Sequence, residues 1–295
     1  MKLSVWLDWM SNRPAAEHIR AVLQQATAAL ATITDTPRLD AELLMAHALH
    51  VSREALILSR LDDATPNGFG ALLDRRLARE PLAYIVGRRD FWTISLNVAP
   101  GVLIPRPDSE ILIDAAVEYF GSAGPKSVLD LGTGSGALLL AALAQWPLAS
   151  GLGIDQSDIA LGIARKNAAE LGLETRAFFE KGDWAAGLTR RFDLILCNPP
   201  YVETGAVLSP EVLSEPSDAL FAGCEGLDDY RRLIPQLPAL LAAGGMIAVE
   251  IGTSQAAPVF DLFRAVGLSC EVREDLGGRN RAILHFSLGK APEST

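Results

Sequence analysis

From Ser127 to Val266 the chain alternates short apolar runs with helical stretches, and that order is met by a parallel sheet covered with helices. Ser127–Leu131, 151–155, a run near 177–180, Phe192–Cys197 and 246–251 are each about one strand long. Their nearly unbroken apolar character is that of strands buried on both faces. An Ala/Leu-rich helix follows the first run, a helix over 159–171 the second, and another near 255–266 the fifth. Two last runs, about 268–274 and 281–286, read as an antiparallel pair. The expected fold is α/β, Rossmann-like, with a mostly parallel seven-stranded sheet.

The first eighty or so residues carry a different period. Between about 15 and 31, Ile19, Val22, Leu23, Ala26 and Leu30 fall on one helical face. Thr36-Pro37 offers an N-cap and an N1 proline for a helix that turns Leu39, Leu43, Leu44 and Ala46 inward. Ser52 caps a short helix, and Pro66 opens another carrying Phe69, Leu72, Leu73 and Leu77. His18, His47 and His50 lie in this bundle without Cys or carboxylate at ligand spacing, so they read as ordinary histidines and no metal site is expected. Beyond Pro81 the period becomes two: Ile94, Leu96 and Val98 alternate with Ser95 and Asn97, Pro100-Gly101 makes a turn, and Val102-Leu103-Ile104 continues in strand character. The expected organisation is an N-terminal helical bundle over 1–84 that recognises a substrate, a β-hairpin linker over 85–105, and a Rossmann-like domain over 106–295 that carries the chemistry. The last opens with a helix whose apolar positions include Ile111, Leu112, Ala115 and Val117.

Composition narrows the setting. With 49% hydrophobic and 21% charged residues, a packed core is expected. No apolar run reaches the roughly 18 residues of a membrane span, and Met1 to Met10 lack the apolar stretch of a signal peptide. Cys197, Cys224 and Cys270 show no CxxC spacing, and Cys197 reads as a small buried apolar residue. A reducing cytoplasm and no membrane contact are expected. The net charge is −10, and residues 1–88 hold ten basic and ten acidic residues, so the remainder carries all of it. An acidic half of this kind is a poor partner for nucleic acid.

Two stretches carry chemistry. Gly132-Thr133-Gly134-Ser135-Gly136, directly after the first strand, lets backbone turn tightly and approach a ligand closely. Alone, such a loop also serves a structural turn or a dinucleotide site. Asp155 stands about twenty residues on, at a strand end, placed to accept from two ribose hydroxyls. Asp183-Trp184 offers an acceptor for an adenine amino group and a flat face for its ring. Asp130, just before the glycines, suits a cationic amino group better than a pyrophosphate, which it would repel. A nucleoside bearing an amino acid and no phosphate is S-adenosylmethionine. The second stretch is Asn198-Pro199-Pro200-Tyr201, a stiff corner where the fourth strand ends. The Asn198 amide, proline carbonyls without competing N–H groups, and the Tyr201 ring suit a planar substrate bearing an NH2.

Taken together these motifs resemble those of class I S-adenosylmethionine-dependent methyltransferases that modify planar NH2 groups. More closely, the chain resembles the peptide chain release factor N5-glutamine methyltransferases (HemK/PrmC type). The resemblance covers nearly the whole chain, from Leu39-Asp40-Ala41-Glu42-Leu43-Leu44 through Glu80-Pro81-Leu82-Ala83-Tyr84-Ile85-Val86-Gly87, Phe91-Trp92, residues 100–110, Asp130 to Gly136 and Asn198 to Tyr201. It continues in Ala219-Leu220-Phe221, Gly226-Leu227-Asp228, Glu250-Ile251-Gly252 and Asp275-Leu276-Gly277-Gly278-Arg279. It implies cofactor binding at Gly132, Thr133, Gly134, Ser135, Gly136, Asp155, Trp184 and Asn198, and substrate binding at Asn198, Pro199, Pro200 and Tyr201. Asp130 and Asp183 join the cofactor set on chemical grounds alone. The implied substrate is the glutamine of a Gly-Gly-Gln loop in class 1 release factors. Gln156, Ser214, Ala222 and Cys224 depart from the family's usual residues, the last three in the loop after the Pro-Pro corner. Adenine-N6 methylation of nucleic acid, methylation of a ribosomal component, and non-catalytic cofactor binding stand as alternatives. The first would need a basic, aromatic-bearing recognition region, which the charge-neutral helical part is not.

Overall fold

Seven strands form one sheet because each apolar run finds its neighbour at the same height. The computed structural model describes residues 18–275 and 277–288. The start of the chain, residues 15–17 of the first expected helix, and Leu276 of the C-terminal motif lie outside the described residues. The chain divides into two units, Met1–Gly87 with Leu208–Ser214, and Arg88–Val207 with Glu215–Thr295.

The first unit is helical: α1 (Ile19–Leu30), α2 (Pro37–Leu49), α3 (Arg53–Ser59), α4 (Phe69–Leu77) and α5 (Leu82–Val86). Helix α1 buries Ile19, Val22, Leu23, Ala26 and Leu30, the five positions its period selects. Ser52 caps α3 by accepting from Ala55 N. Two local expectations fail. Thr36 makes no capping bond to the backbone of α2; its hydroxyl donates to Asp40 Oδ1 at 2.8 Å. Helix α4 starts at Phe69 rather than Pro66, because Gly68 takes φ +96° and breaks helical geometry ahead of it. The inward face of α2 also differs. Leu39 is exposed and Leu43 half-buried, while Asp40 and Glu42 are buried. Arg76 Nε donates to Asp40 Oδ2 at 2.9 Å, and Arg38 and Arg53 donate to the two oxygens of Glu42 at 2.7 and 2.8 Å. Burial alone would raise the Glu42 carboxyl, but these arginines outweigh it and hold it below the usual range. Glu211, in the segment that belongs to this unit, accepts from Arg76 and Arg79, each at 3.2 Å. His18 bonds the Asp62 carbonyl through Nδ1 at 2.6 Å, and His47 and His50 face each other.

The second unit begins with a hairpin, β1 (Arg88–Phe91) and β2 (Ile94–Asn97), paired antiparallel. It is shorter than the expected 85–105. Pro81 starts α5, which takes Ile85, and Val102-Leu103-Ile104 finds no strand partner. The rest comprises α6 (Glu110–Phe120), β3 (Ser127–Leu131), α7 (Ala137–Gln145), β4 (Ser150–Asp155), α8 (Asp158–Glu170), β5 (Ala177–Lys181), β6 (Phe192–Cys197), α9 (Asp228–Leu233), α10 (Leu237–Leu240), β7 (Leu241–Glu250), α11 (Ala256–Ala265), β8 (Glu271–Glu274) and β9 (Asn280–Phe286). Strand β7 starts five residues before the apolar run, since pairing with β6 draws Leu241 and the small residues after it into the sheet. Residues 268–270 stay outside β8.

The sheet order is β5-β4-β3-β6-β7-β9-β8. The five strands from β5 to β7 run parallel, and β9 and β8 close the edge antiparallel. Side chains alternate between two cores. Val128, Leu194, Leu196 and Met246 pack with Leu112, Leu139, Leu143 and Leu161 on one face. Leu129, Ile195, Cys197, Ile247 and Val249 pack with Tyr230, Leu233, Val259 and Phe263 on the other. Because β4 lies on one side of β3 and β6 on the other, the connections diverge at the C-terminal ends of β3 and β6. That divergence opens the crevice where sheets of this kind bind ligands. Among the described residues, no helix is long and apolar enough to cross a membrane, and no group of three or more His, Cys, Asp or Glu is placed to hold a metal ion.

Candidate active site

The chain leaves β3 through three glycines in the left-handed region, Gly132 (φ +73°), Gly134 (φ +57°) and Gly136 (φ +84°). Two of them are also needed for space. A Cβ on Gly132 would lie 3.3 Å from the Trp184 ring, and one on Gly136 would lie 3.0 Å from Leu140. Asp155, at the end of β4, fastens the loop by accepting from Gly134 N at 2.8 Å through Oδ2, while Oδ1 accepts from Ser157 N at 2.9 Å. Two acceptor positions on this carboxylate are thereby used, out of about four. Asn167, buried in α8, holds the loop from behind: its Nδ2 donates to Ser135 O at 2.9 Å, and its Oδ1 accepts from Asn97 N at 2.7 Å. Its signal in the sequence is an asparagine on the helix face that otherwise buries Ala160, Leu161, Ala164 and Ala168.

Asp130 lies beneath the same turn, 1% exposed. Its Oδ2 accepts from Thr133 Oγ1 at 2.6 Å and from Leu139 N at 3.2 Å, and its Oδ1 has no hydrogen-bond partner. Burial raises its pKa to about 7; the bonds from Thr133 and Leu139 oppose that rise, and the Asp155 charge adds to it.

Around this loop opens a cavity of about 730 Å³, within the span of small-molecule sites of roughly 300–1,000 Å³. Gly132, Thr133, Gly134, Ser135, Asp155, Asp183, Trp184, Asn198 and Pro200 line it; Asp130, Gly136, Pro199 and Tyr201 stand outside its lining. Trp184 adopts φ +50°, an uncommon conformation for a bulky residue. Asp183 is held by Arg232, whose Nη2 donates to both of its oxygens at 2.6 and 2.7 Å. Asp229, also on the lining, is pushed upward by burial, against the pull of Arg232 and a hydrogen bond from Trp184.

The Pro-Pro corner contributes Asn198 and Pro200 to the lining. Asn198 Nδ2 donates to Ser109 Oγ at 3.0 Å, which leaves the amide oxygen as its uncommitted end. The Tyr201 hydroxyl donates to Glu250 Oε1 at 3.2 Å. Burial pushes the Tyr201 phenol well above its ordinary value, and the Glu250 charge adds to that. Gln255 Nε2 donates to the carbonyls of Tyr201 and Gly226 at 3.0 and 3.1 Å, and so fixes the exit of the corner. Glu215, 6% exposed, accepts from Ile104 N at 2.9 Å and from Arg106. Ser109, Glu215, Asp229, Arg232, Glu250 and Gln255 were not among the expected site residues, since each acts through a partner remote in sequence.

Gly226 shows how tightly the corner is built. At φ +66° a Cβ there would lie 2.3 Å from the Tyr201 carbonyl oxygen and 2.7 Å from Gln255 Nε2. Gly205, at φ +94°, has no atom within 4 Å of its Cβ position. Gly226→Ala therefore combines left-handed strain with overpacking of about 1–3 kcal/mol, whereas Gly205→Ala carries strain alone. Thermal denaturation of both variants should show the larger loss at 226. Equal losses would mean the corner yields without cost.

Known proteins resemble the chain in both of its parts. Residues 21–87 match the PrmC N-terminal domain, and residues 109–223 match the methyltransferase small domain. The release factor glutamine methyltransferase of Rhodospirillum rubrum is 46% identical over 257 residues, covering 85% of this chain and 79% of that protein. The release factor glutamine methyltransferase of Caulobacter vibrioides is 45% identical over 262 residues, covering 85% and 89%. Among solved structures, a T. thermophilus 16S rRNA N2 G1207 methyltransferase in complex with AdoMet and guanosine is 20% identical, with a TM-score of 0.51 over 68% of this chain and 49% of that one. That last likeness is one of fold.

Proposed function

The chain belongs to the family of release factor glutamine methyltransferases, and from that premise we propose that it methylates the side-chain amide nitrogen of the glutamine in the Gly-Gly-Gln loop of class 1 peptide chain release factors. Its fold is the class I methyltransferase fold, and its methyl donor is S-adenosylmethionine. The observation that carries the reading is the Asn198 amide, pinned through its NH2 so that its oxygen is free, on the wall of the glycine-loop cavity.

The residues present fit the cofactor. Gly132 and Gly134 keep side chains out of the cavity, and Asp155 retains acceptor capacity for ribose hydroxyls, while Asp130, buried outside the lining, holds the loop from beneath through Thr133 and Leu139 N. Trp184 supplies a ring face for the adenine, and Asp183 an acceptor for its amino group. The bound cofactor supplies an electrophilic methyl group on its sulfonium.

The rest falls to this chain's own groups. An amide nitrogen is a weak nucleophile because its lone pair is delocalised into the carbonyl. In our reading the Asn198 side-chain oxygen and the Pro199 carbonyl accept the two N–H groups of the substrate glutamine, which aims the remaining face of the nitrogen at the methyl. Positive charge grows on that nitrogen as the N–C bond forms and the methyl's bond to sulfur breaks. Acceptors already in place meet the charge without reorganisation, and one of the two N–H protons then leaves to solvent, so the product is a neutral N-methyl amide. Pro200 and Tyr201 wall the corner, and a glutamine flanked by glycines can approach it without side-chain clash.

We place recognition of the factor's body on the helical unit, and the enzyme in the cytoplasm. The acidic balance of residues 89–295 favours a protein partner over a polyanion.

Mass spectrometry of a release factor incubated with the enzyme and S-adenosylmethionine tests the proposal. One methyl group is expected on the loop glutamine, and none after that glutamine is changed to Ala. Methylation of DNA or RNA but not of the factor, or a methyl group that survives the change, would overturn it.

A further inference from the structure

The hairpin of β1 and β2 reads in the sequence as a linker, yet its hydrogen bonds run to the helices that follow the glycine loop and Asp155. Near its tip, Trp92 Nε1 donates to Gln145 Oε1 at 3.3 Å, at the end of α7. At its other end Asn97 meets Asn167 of α8. Asn167 Oδ1 accepts from Asn97 N at 2.7 Å and from Asn97 Nδ2 at 2.8 Å, and Asn167 Nδ2 donates to Asn97 O at 3.1 Å. One side chain thus takes both backbone groups of Asn97, as a neighbouring strand would. Asn167 is 1% exposed, and its remaining amide N–H goes to Ser135 O at 2.9 Å. Two donors and two acceptor positions are then all filled.

An amide side chain can turn either end toward a neighbour, since its oxygen and NH2 are nearly the same size. Here a backbone decides. An N–H and a C=O cannot trade places, so Asn97 draws the Asn167 oxygen to its own N–H and the NH2 to its carbonyl. The second proton of that NH2 is left for Ser135. We propose that Asn167 is a positioning residue for S-adenosylmethionine, and that the hairpin backbone at Asn97 sets its direction. Held this way, Asn167 fixes the peptide between Ser135 and Gly136, while Asp155 separately holds Gly134 N at 2.8 Å. The loop needs both anchors, because Gly132, Gly134 and Gly136 are all left-handed and glycine loses the most freedom on ordering. Ordering completed before a ligand arrives is not charged against its affinity. Ser135 lines the cavity and Asn97 and Asn167 do not, so the pair acts on the ligand only through the loop.

This inference rests on the reading that the glycine loop holds the cofactor, and Asp155→Ala tests that reading separately. Calorimetry of S-adenosylmethionine binding needs no release factor. Asn167→Ala should raise Kd at least about tenfold, because the loop loses a buried hydrogen bond that held it in shape. Asn97→Ala keeps both backbone groups that direct Asn167 and removes only Nδ2, so its loss should be at least about threefold smaller. The second readout is amide hydrogen exchange without ligand. Gly134 and Gly136 should exchange at least about tenfold faster in Asn167→Ala, while Ala248, in the middle of the sheet, keeps its parent rate. A merely structural role would lower the melting temperature and speed exchange at Ala248 as well, with the folded protein binding as before. Unchanged affinity in folded Asn167→Ala, beside weakened Asp155→Ala, would overturn this inference alone; unchanged affinity in both would remove the loop reading with it. An Asn97→Ala loss equal to that of Asn167→Ala would overturn the directing role of the hairpin backbone. Should Asn167→Ala fold poorly, Asn167→Ser decides: one proton cannot serve two carbonyls, so Kd should still rise at least about threefold.

Discussion

Asn198→Ala is expected to lower kcat by about 10²–10³ while leaving cofactor affinity nearly unchanged. The side chain makes one bond within the protein, to Ser109, so its removal should cost the fold only about 1 kcal/mol. Its other end faces the cavity with nothing to satisfy except a ligand. Such a group acts mostly when charge develops on the substrate nitrogen, and its loss therefore appears in turnover rather than in binding of the methyl donor. Asn198→Asp makes a useful companion. It keeps an oxygen at the same place but removes the NH2 that Ser109 holds, so it should fall between the parent and Ala. Single-turnover methyl transfer to a release factor, with calorimetry of cofactor binding alongside, measures both quantities. If kcat in Asn198→Ala stayed within about threefold of the parent, positioning would have to come from elsewhere in the corner.

Much of this site could be read before any coordinates, because its parts are local. The glycine loop, the strand-end Asp155 and the Pro-Pro corner each declare themselves through residues adjacent in the chain, and the β-α alternation tells which strand ends they occupy. Helix α1 was legible for the same reason: its five buried residues follow one period. What escaped is what depends on a distant partner. Periodicity turned Leu39 and Leu43 inward, yet α2 buries Asp40 and Glu42 instead, which is tolerable only because Arg76, Arg38 and Arg53 neutralise them. Val102-Leu103-Ile104 has the composition of a strand, but no neighbour pairs with it; a glutamate 111 residues away binds its backbone. Asp183 gave a good signal as an acceptor, and its ion pair with Arg232, 49 residues on, gave none.

Ser109 and Glu250 belong to the same class, the first bonded to Asn198 and the second to Tyr201. A serine opening a helix and an acid closing a strand are unremarkable where they stand, and only the sheet order brings them behind Asn198. Strand β7 lies beside β6, so the end of one is adjacent to the corner that begins at the end of the other. A buried carboxylate without neighbours to donate to it would be costly there. Here the Tyr201 hydroxyl donates to it, so the acid fixes the last residue of the corner.

Asp155→Ala should weaken S-adenosylmethionine by at least about 10² in Kd. A carboxylate serving two hydroxyls contributes about 1.5–3 kcal/mol for each charge-assisted bond, and 3 kcal/mol alone corresponds to roughly that factor. The structure adds a second route to the same loss. Gly134 N donates to Oδ2 at 2.8 Å, so the variant also removes the acceptor that holds the glycine loop in shape. The two contributions can be separated with Asp155→Asn, which retains one oxygen for Gly134 but loses the charge and one acceptor. If loop shape dominates, Asn should bind almost as well as the parent; if the ribose bonds dominate, Asn should lose at least half of the free energy lost by Ala. Isothermal calorimetry on both variants gives the affinities, and the ligand-induced rise in melting temperature checks them independently, because a weaker ligand stabilises less at equal concentration. Ser157 N, which donates to Oδ1 at 2.9 Å, lies at the start of α8 and can turn to water, so the fold should survive. A folded Asp155→Ala protein with unchanged cofactor affinity would remove Asp155 from the site.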